Sequence, residues 1–209
     1  MTREDGEREG DVGVIVPAAG SSERMGGPVR KPFLEIGGEP ILFRTCRRLA
    51  AVPGVREIIV ALHPGDLDFF RDRLEERARA AGITLAVAGG ECRAESVWNA
   101  LQVMSARAEL AAVHDAARPF FPSDTVRALF DLARRRGAAI PVIPLTDAPK
   151  LVEGDRVTGS PARRGLMRAQ TPQVFRSDLL IEAYEFALRT GGLSAALGDD
   201  AQLVEALGA

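Results

Sequence analysis

Three clusters of residues in this chain have the types and spacing to hold a phosphorylated ligand. The first is the segment AAGSSERMGG over residues 18–27, preceded by Pro17 and followed by Lys31. Apart from Glu23, Arg24 and Met25 every residue in it is small. A backbone of this kind can fold closely around a ligand and aim its amide N–H groups at an anion. Arg24 and, seven positions on, Lys31 place two cations beside it. The only other lysine is Lys150 in a chain that otherwise uses arginine, so the lysine at 31 is a specific choice. A compact ammonium next to a glycine-rich turn suits a phosphate undergoing transfer, where charge builds up in the transition state. The spacing of Gly20, Gly26 and Gly27 fits neither G-x-G-x-x-G nor G-x-x-x-x-G-K-[ST]. Taken alone, the same residues also fit a solvated loop with two stray cations.

The second cluster is Gly89-Gly90-Glu91-Cys92-Arg93-Ala94-Glu95-Ser96. Two glycines permit close backbone approach, and the Ser96 hydroxyl is placed to face the same ligand; a plain turn with Arg93 paired to an acid remains the alternative. The third is His114-Asp115-Ala116-Ala117-Arg118-Pro119. An aspartate and an arginine three apart can take opposite ends of a ligand, the carboxylate binding hydroxyls or Mg²⁺ and the guanidinium binding phosphate. A local ion pair at a surface turn would look the same. His114 reads as structural, satisfied beneath the loop, and His63 as a surface turn residue.

The elements that must position these clusters are strands. Apolar β-branched runs at 14–16, 57–62, 83–88 and 111–113 alternate with helical periodicity after Pro40, over 66–81, from 97 and from 123. In the last of these Ser123, Asp124 and Thr125 are N-cap candidates. Pro17 is read as ending the first strand. Each cluster follows a strand, and strand–helix alternation predicts an α/β fold: a Rossmann-like, mostly parallel sheet with helices on both faces, ligands lying beyond the carboxyl ends of its strands. Residues 138–145 read as an edge or bent strand because of Pro141 and Pro144. Residues 146–170 are polar and basic, with β-like pieces at 150–152 and 156–158 around Gly154-Asp155, and read as a projecting hairpin arm. A helix over 177–190, with Tyr184 in its core face, precedes Gly198-Asp199-Asp200-Ala201.

The 18–38 segment resembles the nucleotide loop of sugar-phosphate nucleotidyltransferases, through Ala18, Ala19, Gly20, Arg24, Met25, Gly26, Lys31, Phe33, Leu34, Gly37 and Gly38. The GGECRAESV run and above all HDAARP narrow the resemblance to the 2-C-methyl-D-erythritol 4-phosphate cytidylyltransferase family, over residues 14–208. The resemblance implies transfer of CMP from CTP to that substrate with Mg²⁺ as cofactor. It places Arg24 and Lys31 in catalysis and Pro17, Ala18, Ala19, Gly20, Gly89, Gly90, Arg93 and Ser96 around the nucleotide. It assigns Asp115, Arg118, Arg163 and Thr171 to the substrate, Asp115 also to the metal, and implies a homodimer formed through the arm. Aligned on RRGLMRAQTPQVF, the phosphate-gripping arginine falls at Arg163, with Arg164 one register away. Ala148 and Gly198 stand where members of the family carry hydroxyl residues. Members also continue past LVEALG into a final strand and helix bearing a phosphate-holding lysine; either the sequence is truncated there, or an intact nucleotide half goes with an incomplete substrate half. A ribitol- or polyol-phosphate cytidylyltransferase, or a non-catalytic CTP-binding module, is the alternative.

Composition narrows the classes further. The 209 residues suit one domain over 12–209 behind a polar 1–11 tail expected to be disordered. A net charge of −2 argues against a general nucleic-acid binder. Cys46 and Cys92 lack metal-like spacing and fit a reducing compartment, the cytoplasm. No apolar run is long enough to cross a bilayer and the start is no signal peptide, so no membrane partner is expected.

Overall fold

The computed structural model describes residues 10–20, 30–194 and 197–208. Strand β1 (Val12–Ala18) is followed by a 3-10 turn at Lys31–Phe33 and a short ribbon, β2 (Glu35–Ile36) and β3 (Glu39–Pro40). Helix α1 (Ile41–Ala50), β4 (Val55–Leu62), α2 (Leu67–Ala80), β5 (Leu85–Ala88), α3 (Arg93–Leu101) and β6 (Leu110–Val113) complete a strand–helix alternation. Helix α4 (Ser123–Arg136) leads to β7 (Ala138–Ala139), β8 (Val142–Pro144), β9 (Leu151–Glu153), β10 (Arg156–Gly159), β11 (Met167–Ala169) and β12 (Gln173–Arg176), and α5 (Ser177–Thr190) and α6 (Ala201–Glu205) follow.

The central sheet has the order β5-β4-β1-β6-β12-β7. Strands β5, β4, β1 and β6 are parallel, whereas β12 runs antiparallel to both of its neighbours. Side chains alternate between two apolar layers. Val14 and Val16 of β1 and Ile58, Val60 and Leu62 of β4 face α1, α2 and α4, while Ile15, Ile59 and Ala61 face α3, α5 and α6. A sheet buried on both faces explains why its strands read as continuous apolar runs. Each fully buried aliphatic side chain there contributes about 1.5–3 kcal/mol.

Three local expectations are corrected, and the edge and bend expected over 138–145 are borne out. Strand β1 does not stop at Pro17 but pairs on through Ala18 with Leu62. Its register with β6 ends at Ile15, so Pro17 faces that neighbour where no ladder asks for an N–H. The 138–145 run splits in two around Pro141: Ala138–Ala139 closes the sheet edge and Val142–Pro144 leaves to pair with Met167–Ala169. Helix α4 begins at Ser123 with Pro122 at its cap, so no hydroxyl or carboxylate caps it. At the amino end, Asp11 is ion-paired to Arg134 of α4 at 2.6 Å, and residues 1–9 lie outside the described residues.

Beyond β8 the arm continues as the ribbon of β9 and β10, turning at Gly154 with φ +61°. Leu151, Val152 and Val157 on it are each more than half exposed, as Met167 is half exposed. The core sits under the sheet, not under the arm.

Candidate active site

The register aligns the carboxyl ends of the parallel strands: Ala18 lies beside Leu62, and Leu62 beside Ala88. The loops that leave these ends therefore meet, and the meeting is tight. A Cβ on Gly89 would lie 2.3 Å from the Ala19 Cβ and 2.8 Å from Ser96 Oγ, so only glycine lets the loop after β5 touch the loop after β1. Between them opens a cleft of about 990 Å³ lined by Pro17, Ala19, Gly20, Gly89, Gly90, Arg93, Ser96 and Asp115, with His63 and Pro64 at its rim. A second compartment of about 370 Å³ shares Pro17, Gly20 and Asp115 and adds Ala18, Lys31 and Arg118. The first combines a glycine-rich wall with Arg93, and the second carries Lys31 and Arg118.

Residues far apart in sequence are brought together here. Asp115 stands between two guanidiniums, 2.8 Å from Arg118 Nε and 3.8 Å from Arg93 Nε. Its backbone N–H donates to Thr171 Oγ1 at 3.3 Å, and Arg118 also donates to Gln170 Oε1. Arg93 is ion-paired to the buried Asp200 at 2.7 Å. Burial works against charge on Arg93, but the carboxylates of Asp200 and Asp115 outweigh it and hold its pKa above the ordinary value. Arg24 lies outside the described residues. Arg163 lines neither compartment; its guanidinium donates to the Thr146 carbonyl at 2.6 Å on the arm.

Two further residues hold the loops that border the cleft. Ser96 is 2% exposed. Its hydroxyl accepts from the Gly90 N–H at 3.1 Å and donates to the Cys92 carbonyl at 3.0 Å, which shapes the glycine loop. His114 is fully buried against the Phe121 ring, with Nε2 3.0 Å from the Arg118 carbonyl. A carbonyl only accepts, so Nε2 carries the hydrogen. Burial holds the His114 pKa below its ordinary value.

Sequence reasoning passed over the support behind Arg93. Tyr184 O–H donates to Asp200 Oδ1 at 2.6 Å, and Gln173 Oε1 accepts from the Asp200 and Ala201 backbone at 3.1 and 3.2 Å. The paired aspartates after Gly198 were the one available signal, but their partners come from β12 and α5.

A parallel α/β sheet with a glycine-walled cleft and adjoining cations at its carboxyl edge defines a nucleotidyltransferase-type enzyme. The family model described as "IspD: 2-C-methyl-D-erythritol 4-phosphate cytidylyltransferase" matches residues 12–209. Proteins of that name from Symbiobacterium thermophilum and Solibacter usitatus are 41% and 42% identical, over 94% of this chain and 80% and 83% of theirs. The structure of the enzyme from Thermus thermophilus superposes with a TM-score of 0.73 at 36% identity, covering 95% of this chain and 85% of that one. The Francisella tularensis structure gives 0.79 at 29% identity, covering 95% and 87%. The chain belongs to the 2-C-methyl-D-erythritol 4-phosphate cytidylyltransferase family.

Proposed function

We propose that this protein transfers CMP from CTP to 2-C-methyl-D-erythritol 4-phosphate, giving 4-diphosphocytidyl-2-C-methyl-D-erythritol and pyrophosphate in non-mevalonate isoprenoid synthesis. The observation that carries the reading is the close contact of the Gly89 and Ala19 loops, which opens a nucleotide-sized cleft directly into the compartment of Lys31 and Arg118. Family membership favours it over a ribitol-phosphate enzyme or a non-catalytic CTP-binding module.

In this reading CTP lies along the loop after β1 with its base toward residues 89–96. A phosphate oxygen of the substrate attacks the α-phosphorus in line, the bond to the β-phosphate breaks, and its electrons leave with pyrophosphate. Such a transfer needs little covalent help; positioning and charge neutralisation lower the barrier. Lys31, with Arg24, stabilises the charge that accumulates on the phosphates, and Arg118 and Asp115 orient the substrate.

Mg²⁺ is the proposed cofactor. Among the described residues no group of three His, Cys, Asp or Glu forms a metal site of its own. Magnesium in such enzymes arrives on phosphates and needs only one or two carboxylates. Asp115, which lines both compartments, fits that donor requirement. The ion would supply charge neutralisation on the triphosphate.

A homodimer through the arm is part of the proposal. The exposed Leu151, Val152, Val157 and Met167 give the arm apolar surface, and Arg163 on it lines neither of the two compartments described above. The proposed compartment is the cytoplasm, where Cys46 and Cys92 stay as thiols. No helix among the described residues is long and apolar enough to cross a membrane.

The test is pyrophosphate release from CTP and Mg²⁺ with 2-C-methyl-D-erythritol 4-phosphate, run beside ribitol 5-phosphate. Release with the first supports the proposal. Release with the second alone moves the protein to the polyol branch, and release with neither overturns the enzymatic reading of this chain.

A further inference from the structure

We infer that Asp200 is a positioning residue for nucleotide binding, acting through its ion pair to hold the Arg93 guanidinium at the wall of the 89–96 loop. The inference rests on the reading of that cleft as the CTP site.

Asp200 is 1% exposed, and a carboxylate so buried is tolerated only when paired and hydrogen-bonded. Both of its oxygens are used, Oδ1 by the Tyr184 hydroxyl at 2.6 Å and Oδ2 by Arg93 Nη1 at 2.7 Å. Its backbone is held as well, by Gln173 Oε1, whose side chain also donates from Nε2 to Asp199 Oδ2 at 2.9 Å. The tyrosine is itself fixed, its ring stacked on Trp98 with centroids 5.7 Å apart and an interplanar angle of 13°.

The carboxylate is therefore anchored from α5 and β12 before Arg93 reaches it, while Arg93 alone in the pair projects into the cleft, its side chain 30% exposed. Arginine has many rotamers, and an anion site gains affinity when the guanidinium is already ordered. A purely architectural pair would stabilise α6 and leave nucleotide affinity alone. Asp115, at 3.8 Å, is a weaker second hold on the same guanidinium.

The test is a double-mutant cycle in which the CTP dissociation constant is measured by calorimetry and the melting temperature alongside it. The four proteins are the wild type, Asp200→Asn, Arg93→Ala and the double variant. Asparagine keeps an acceptor for Tyr184 and puts an uncharged NH2 donor in place of the oxygen that faces Arg93, so the ion pair is lost. Loss of an ion pair to a buried carboxylate should cost about 10- to 100-fold in affinity in Asp200→Asn. In the Arg93→Ala background the same change should cost nothing further. Affinity within twofold of wild type, or losses that multiply, would overturn the inference. Wild-type protein that fails to bind CTP would instead bring down the reading of the cleft, and the inference with it.

If Asp200→Asn does not fold, Tyr184→Phe removes one anchor of the carboxylate and keeps the stacked ring. It should weaken CTP binding by about 3- to 10-fold with Arg93 present and not at all without it. An equal loss in both backgrounds would refute the positioning role.

Discussion

Lys31 has the most direct kinetic consequence at the scale of single residues. It sits at the start of the 3-10 turn and lines the cationic compartment next to Arg118. Lys31→Ala should lower kcat by about 10²-fold, as removal of one preorganised charge donor does, with a smaller change in KM for CTP. An unchanged kcat in a pyrophosphate-release assay takes Lys31 out of catalysis. His114 predicts an acid limit on stability. Burial lowers its pKa in the folded chain, so the unfolded chain binds the proton more tightly. Its contribution is fully present above the ordinary value of 6.5 and is lost as pH falls from there toward the lower folded-state value. Urea denaturation across that window should show the fall, and His114→Gln should flatten it; a variant with the wild-type slope would assign the acid sensitivity to other groups.

At the scale of elements, the site depends on how the loop after β6 is tied to α1. Thr45 is fully buried in α1, and its hydroxyl lies 2.8 Å from the Ala116 carbonyl and 2.9 Å from the Ile41 carbonyl. Arg48, a turn later, donates to the Phe121 carbonyl at 2.7 Å. Thr45→Val keeps the shape and strips the donor, leaving the Ala116 carbonyl unsatisfied at a cost of about 1–3 kcal/mol. Denaturant midpoints would register that loss, and activity should fall further than stability because Asp115 and Arg118 sit on the same loop. A midpoint within error of wild type would show that water replaces the hydroxyl. The parallel elements were readable because two buried faces turn a strand into an unbroken apolar run. Strand β12 was not, since Gln173 and Arg176 bracket only Val174 and Phe175 and its pairing with β6 spans 60 residues of chain between Val113 and Gln173.

At the scale of the whole molecule, the arm is where a single chain leaves apolar surface uncovered. Val157 and Val152 face each other across the ribbon and are 59% and 57% exposed. Under the proposed arm-mediated dimer, Val157→Asp should shift the oligomer toward monomer in light scattering while the melting transition persists, because the arm lies outside the core. A wild-type protein that is monomeric at micromolar concentration would refute dimerisation through the arm. The α/β alternation and the family were legible in the sequence by itself, since local residue types dictate strand or helix periodicity and carry the motifs of the family. Only the tertiary structure decided that Gly89 must touch Ala19, that the Ser96 hydroxyl bridges the Gly90 N–H and the Cys92 carbonyl, and that Asp200 stands behind Arg93. Those relations are distances between segments tens of residues apart, set by strand register and packing, and no local pattern encodes them.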